Sequence, residues 1–210
     1  WTPNINIYRD PRWGRGMETY GEDPYLTSLM GLAVVKGLQG GGTGKYDKAH
    51  ACAKHYAVHS GPEWNRHSFD AKNISQRDLW ETYLPAFKTL VKEGKVKEVM
   101  CAYNRINGVY AAENKEALTD ILRGEWNFHG FVVSDWGAVN DRVADLESGM
   151  DLEMPSSFGM RDAEIVKAVR CGRLPEAVLD RAVTRILRIV QRYLDGRNPD
   201  AVFDRDADHE

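Results

Sequence analysis

Asp135 follows Phe131-Val132-Val133-Ser134, a run apolar enough to read as a buried strand, so its carboxylate stands at the mouth of that strand. A carboxylate held there is rigid and partly desolvated, and basic neighbours can keep it ionised. These properties suit a nucleophile. Three other apolar runs end in the same manner: in Tyr8-Arg9-Asp10, in Lys54-His55-Tyr56 and in Tyr103-Asn104-Arg105. Lys54, Arg15 and Arg66 can supply positive field and hydrogen bonds to hydroxyl groups, while Trp136, Tyr103 and Trp64 can stack on the apolar face of a sugar ring or simply pack in the core. A second chemistry competes for the same residues. His55 and His59 are four apart, and His50, His67 and Asp135 could complete a metal set. Two histidines at that spacing need a helix to share a face, and this segment leaves a strand for Ser60-Gly61-Pro62.

The elements that must carry these groups alternate along the chain. Strand-like runs at Asn4 to Tyr8, Ala51 to Lys54, Glu98 to Ala102, Phe131 to Ser134 and Asp151 to Glu153 are separated by helical patterns. The first helix is expected from Pro24 to Leu38, capped by Asp23, with Leu26, Leu29, Met30, Ala33, Val34 and Leu38 inward. Ser75 caps the next, which runs to about Glu93 with a kink at Pro85 and with Leu79, Tyr83, Phe87, Leu90 and Val91 inward. Helices Lys115 to Asn127 and Val139 to Ser148 follow, and the last, Pro175 to Leu194, turns Leu179, Ala182, Val183, Ile186 and Val190 to one side before Gly196. The glycines from Gly40 to Gly44 read as a loop, since no Lys-Ser/Thr follows them.

About five strand–helix units in series specify an α/β fold, a (β/α)8 TIM-type barrel that is incomplete, with the early strands missing. An open doubly wound sheet is the alternative, and it would advertise a glycine-rich first turn or a switch-point site. In a parallel barrel all four polar strand ends lie on one rim, where such folds place their active sites. Residues 1–196 form this partial barrel, and 197–210 form an acidic tail with Asp200, Asp204, Asp206 and Asp208.

Composition bounds the function. With 42% hydrophobic and 10% aromatic residues the chain can bury a full core without metal or disulfide staples. Its 28 basic and 31 acidic residues give a formal net charge of -3, which excludes nucleic-acid binding driven by bulk positive charge. No apolar run approaches the roughly 18 residues of a membrane span. Cys52, Cys101 and Cys171 match no metal-knuckle spacing and read as buried free thiols. The opening Trp1-Thr2-Pro3, which runs at once into an apolar alternation, reads as the start of a piece of a longer protein; the compartment stays open, periplasm and secretion included.

Strings spanning most of the chain resemble glycoside hydrolase family 3, the group of retaining β-glucosidases and β-xylosidases. They are RDPRWGR from Arg9, ETYGEDP from Glu18, AKHY from Ala53, NRHSFDA from Asn65, MCAYNRINGVYA from Met100, GFVVSDW from Gly130 and GMDLEMP from Gly149. The resemblance implies that Asp135 is the nucleophile forming a covalent glycosyl ester. It implies that Arg15, Lys54, His55, Arg66 and Tyr103 hold the hydroxyls of the sugar beside the scissile bond, and that Trp136 packs against that sugar. It implies no cofactor and no metal. The substrate would be a β-glucoside or β-xyloside oligosaccharide, glucoside first, with neither nucleic acid nor membrane as partner; the GMDLEMP acids lean to glucosides. A retaining mechanism needs a second carboxyl about 5–5.5 Å from the first. In the family that general acid/base usually comes from a second domain beyond the barrel, so a C-terminal domain of the parent chain is the implied partner. Glu18, Glu22, Glu63 and Asp70 read as capping or salt-bridge residues, and the chain alone is expected to turn over poorly. Two readings stand against this one: a metal-dependent barrel hydrolase, and a carbohydrate-binding remnant without catalysis.

Overall fold

The computed structural model describes residues 1–40, 47–196 and 200. Apart from Gly40 and Asp200, the glycine-rich turn and the acidic tail lie outside the described residues.

Three strands, β1 (Cys52–Tyr56), β3 (Glu98–Cys101) and β6 (Phe131–Ser134), form a parallel sheet in the order β1-β3-β6. Single parallel bridges extend it on both sides, Asn4 to Lys54 and Val133 to Leu152. Five parallel staves therefore lie side by side in sequence order. A doubly wound sheet would reverse order at a switch point; sequential order is that of a barrel wall, and among the described residues it does not close. The runs expected as strands at Asn4 to Tyr8 and Asp151 to Glu153 are reduced to these single bridges, because each has a hydrogen-bonded neighbour on one side alone.

Side chains alternate across the staves. Ala53, Val99, Cys101 and Val132 face outward and join Val35, Phe87, Leu90, Leu118, Leu122 and Trp126 in the main core. Cys52, Met100 and Val133 face inward with Phe131, Leu152 and Met154.

Helix α1 (Pro24–Gln39) starts as expected: Asp23 accepts from the Leu26 N–H at 2.6 Å, Pro24 takes the first turn, and Gly40, at φ 83°, ends it. Its inward face is not the expected one. Leu26, Leu29 and Met30 are about half exposed, and Thr27, Ser28, Gly31, Leu32 and Val35 are buried. The helix is apolar nearly all round, and small residues decide which side approaches its neighbour. A Cβ on Gly31 would come within 2.8 Å of Ile5 and 3.1 Å of Leu90.

Ser75 caps α2 (Gln76–Asp78), accepting from the Asp78 N–H at 3.0 Å. A π-helical turn, Leu79–Tyr83, then precedes α3 (Pro85–Lys92). The expected kink at Pro85 thus takes the form of a wide turn just before it. A π-helix spans Glu116–Glu125, and α4 (Arg142–Ser148) is capped by Asp141, three residues later than expected. Helix α5 (Met160–Arg170) has no counterpart in the sequence reading, since Ile165 and Ala168 alone are buried along it. Helix α6 (Glu176–Gly196) buries Ala182 but leaves Val183 and Val190 exposed, against expectation; it packs on α4 and α5 near its start and meets the sheet farther on. Cys52 and Cys101 are buried, whereas Cys171, just past α5, is exposed.

A second small sheet joins β2 (Asp70–Ala71), β4 (Arg105–Ile106) and β5 (Val109–Tyr110). Its hairpin turns on Asn107 and Gly108, at φ 50° and 93°, the conformation that an Asn-Gly pair favours. This sheet fastens the long loop after β1 to the segment after β3.

Candidate active site

The carboxyl ends of the staves bring the expected residues to one rim. β1 carries Lys54 and His55, and the register against β3 slips between Lys54 and Tyr56, so His55 is a bulged residue aimed separately from the ladder. Tyr103 follows β3 and Asp135 follows β6. Arg15 arrives on the loop after the Asn4 stave.

Asp135 is buried at 6% exposure. Its Oδ1 accepts from the Trp136 N–H at 2.7 Å. Its Oδ2 has no hydrogen-bond partner; it lies 3.4 Å from His55 Nε2 and 4.0 Å from Arg15 Nη1. Burial raises the carboxyl pKa, against which the Trp136 N–H, Tyr103 and the charges of Arg15 and Lys54 pull down. One oxygen is therefore anchored, and the other, without a hydrogen bond of good geometry, is faced by His55 and Arg15, with the Tyr103 hydroxyl also acting on the carboxylate.

His55 is locked by a residue with no warning in its own motif. Asn6 Oδ1 accepts from the His55 backbone N–H at 2.8 Å and pairs with Nδ1 at 3.0 Å, and Asn6 Nδ2 donates to the His55 carbonyl at 2.8 Å. An amide oxygen beside Nδ1 places the proton there, leaving Nε2 to accept from Arg15 Nη1 at 3.2 Å. Burial, then the charges of His59, Arg15, Lys54 and Arg66, hold the His55 pKa well below its ordinary range, so the ring is neutral.

Tyr103 donates to the Trp136 carbonyl at 3.0 Å, and its hydroxyl pKa is pushed up to about 12 by burial and then by Asp135. His67 packs on the Tyr103 ring with centroids 4.2 Å apart, and the Arg66 guanidinium lies 5.9 Å from the same ring. Glu63 holds Arg66 at 2.7 Å and accepts from the Gly14 N–H at 3.1 Å, tying the loop after β1 to the loop that bears Arg15. Trp136 is 37% exposed and meets the edge of Trp1 with centroids 4.7 Å apart. Trp64 is not at this rim chemistry: it stands 71% exposed with Arg12 over its ring.

All seven expected residues, Asp135, Arg15, Lys54, His55, Arg66, Tyr103 and Trp136, thus gather in one neighbourhood. Asn6, which fixes His55, was missed; a polar residue alternating with Ile5 and Ile7 was its sole signal. The competing metal reading would use His59 as a ligand. It is buried between Trp13, His55 and Tyr103, with ring centroids 5.5, 5.0 and 5.9 Å away, and no three His, Cys, Asp or Glu side chains converge as a metal set among the described residues. Glu18 is bonded to Arg15, the salt-bridge role expected of it, whereas Asp70 accepts from the Gly108 N–H of the hairpin, a turn contact in place of the expected capping or salt bridge. The GMDLEMP acids do not face the rim. Asp151 receives Arg123 at 2.5 Å, Arg185 at 2.8 Å and the Val132 N–H at 2.8 Å, and Glu153 is paired with Arg161. These carboxylates hold helices to the sheet, which removes the reason for reading a glucoside preference from them.

Residues 1–189 match the family description "Glycosyl hydrolase family 3 N terminal domain". The chain is 52% identical over 199 residues to a xylan 1,4-beta-xylosidase of Xylanibacter ruminicola, covering 89% of this chain and 23% of that protein. It is 45% identical over 207 residues to thermostable beta-glucosidase B of Acetivibrio thermocellus, covering 99% and 26%. The crystal structure of a Bifidobacterium adolescentis GH3 beta-glucosidase superposes with a TM-score of 0.84 at 41% identity, covering 98% of this chain and 29% of that one. The chain spans about a quarter of the length of these relatives. Sequence, fold and site geometry agree, and the chain belongs to glycosyl hydrolase family 3, within its N-terminal domain.

Proposed function

We propose that the protein carrying this chain hydrolyses terminal β-D-glucosides or β-D-xylosides by a retaining double displacement, with Asp135 as nucleophile. The observation that carries the reading is the Oδ2 of Asp135, buried without a hydrogen bond of good geometry yet faced by Arg15 and His55. In the first displacement this oxygen attacks the anomeric carbon as the leaving oxygen takes a proton from a general acid. The glycosyl ester formed is then hydrolysed by water, with the same acid group acting as base. Arg15, Lys54 and Arg66 donate to sugar hydroxyls, neutral His55 offers a fixed hydrogen-bonding edge, Tyr103 orients the Trp136 backbone, and the Trp136 ring packs on the sugar.

The general acid belongs to another part of the parent protein. Among the described residues the nearby carboxylates are engaged: Glu18 with Arg15, and Glu63 with Arg66 and Gly14. Residues 1–196 then supply one wall of the sugar pocket and the nucleophile.

A panel of nitrophenyl glycosides on the full-length protein tests the reading. Turnover of the β-glucoside or β-xyloside with retention, abolished in Asp135→Ala and indifferent to chelator, is expected. Hydrolysis that survives Asp135→Ala refutes the nucleophile. Activity lost in chelator and restored by zinc favours the metal-dependent hydrolase, and sugar binding without turnover favours the carbohydrate-binding remnant.

A further inference from the structure

We propose that Glu18 is a positioning residue that holds Arg15 off the nucleophile, keeping Asp135 Oδ2 free to attack. The inference rests on the reading of Asp135 as nucleophile.

Arg15 and Asp135 are a guanidinium and a carboxylate close enough to pair, yet Nη1 and Oδ2 stand 4.0 Å apart. Left to themselves such groups form a two-pronged hydrogen-bonded pair, with the carboxylate taking two parallel N–H bonds. A nucleophile engaged in that pair would have its attacking lone pairs occupied. Here the prongs are already taken. Arg15 gives Nε to Glu18 Oε1 and Nη2 to Glu18 Oε2, both at 2.8 Å. Glu18 is itself tied to the staves by Asn4 Nδ2 at 3.2 Å, so the clamp has a rigid base. The planar guanidinium, fixed by two bonds, has Nη1 left for the site, and Nη1 rests on His55 Nε2 at 3.2 Å.

The arrangement separates two effects that a direct salt bridge would merge. The positive charge of Arg15 still acts on Asp135, while its Nε–Nη2 edge, a fork that would pair with a carboxylate, is engaged by Glu18. The other groups facing Asp135 are Lys54, His55 and Tyr103; of these His55 takes the Nη1 contact of the clamped guanidinium, and Lys54 feels the Glu18 charge. If Glu18 loses its charge, Arg15 swings to the stronger remaining acceptor and closes on Oδ2.

The test uses Glu18→Gln in the full-length protein, with Glu18→Asp as the charge-preserving variant. The first readout is the rate of covalent labelling by a 2,4-dinitrophenyl 2-deoxy-2-fluoro-β-glycoside, whose leaving group needs no protonation. The second is the acid limb of kcat/KM against pH. Glu18→Gln is expected to slow labelling by roughly 100-fold, the scale of a misplaced reacting group, and to move the acid limb to lower pH as Arg15 pairs with Asp135. Glu18→Asp is expected to restore much of the rate and return the acid limb toward its original position. A loss of stability alone would not displace that limb. An acid limb that stays in place in Glu18→Gln, at whatever rate, overturns the proposal. Failure of the unsubstituted protein to carry the label on Asp135 would instead overturn the nucleophile reading beneath it.

Discussion

Asp145 gives the sharpest quantitative test of the packing beneath the site. It lies in the first turn of α4, wholly buried, and neither carboxylate oxygen has a hydrogen-bond partner. Burial pushes its pKa from 3.8 up to about 8; Arg142 pulls the other way, and Glu113, Asp141 and Glu153 add to the rise. The unfolded chain releases this proton near the ordinary value and the folded chain keeps it to about pH 8, so folding takes up a proton in between. Stability therefore falls as pH rises through that window. At about 1.4 kcal/mol per pH unit, the loss attributable to Asp145 between pH 5 and pH 7 is about 3 kcal/mol. Asp145→Asn keeps the shape and removes the ionisation. Urea unfolding of both proteins at pH 5, 6, 7 and 8 is expected to show the variant gaining on the parent by that amount over the first two units. Other groups titrate equally in both, so the difference isolates residue 145. Parallel stability curves would refute the reasoning.

His59, whose pKa burial lowers from 6.5 to about 3, works in the opposite direction. Its share of stability is complete well above pH 6.5 and is lost as pH falls toward 3, so His59→Asn should lose about 2 kcal/mol less than the parent between pH 6.5 and 4.5 in urea melts. An equal loss in both would contradict this. Asp151→Ala leaves Arg123 and Arg185 without their shared carboxylate and is expected to cost about 3–5 kcal/mol; a change below about 1 kcal/mol would show the triad to be idle. In Gly130→Ala the new Cβ would stand 2.0 Å from the Lys97 carbonyl, and a loss of about 1–3 kcal/mol is expected. An unchanged Tm would mean that the β3–β6 edge yields more easily than its spacing implies.

Much of the site was legible because strand ends carry their chemistry in sequence. Lys54-His55 and Ser134-Asp135-Trp136 follow apolar runs, and parallel order alone sends them to one rim. The face of α1 was not legible. An apolar stripe ranks Leu26, Leu29 and Met30 above Thr27 and Gly31, but close helix packing selects the small residues. Asn6 was hidden for a different reason: its role depends on a neighbour 49 positions away, and no local pattern marks such a partner. The small sheet had a signal that went unread, the Asn107-Gly108 turn between Ile106 and Val109. The GMDLEMP acids show the reverse error, since the carboxylates of this matched string turned out to be committed to arginines of the helices.

The account stands on Asp135 forming a bond to the anomeric carbon. Treating the full-length protein with a 2,4-dinitrophenyl 2-deoxy-2-fluoro-β-glucoside or β-xyloside, followed by intact mass and peptide mapping, measures that directly. One glycosyl adduct per chain, on the peptide containing Asp135 and absent in Asp135→Asn, is the expected result. An adduct on another residue, or adduct formation that persists in Asp135→Asn, would contradict it.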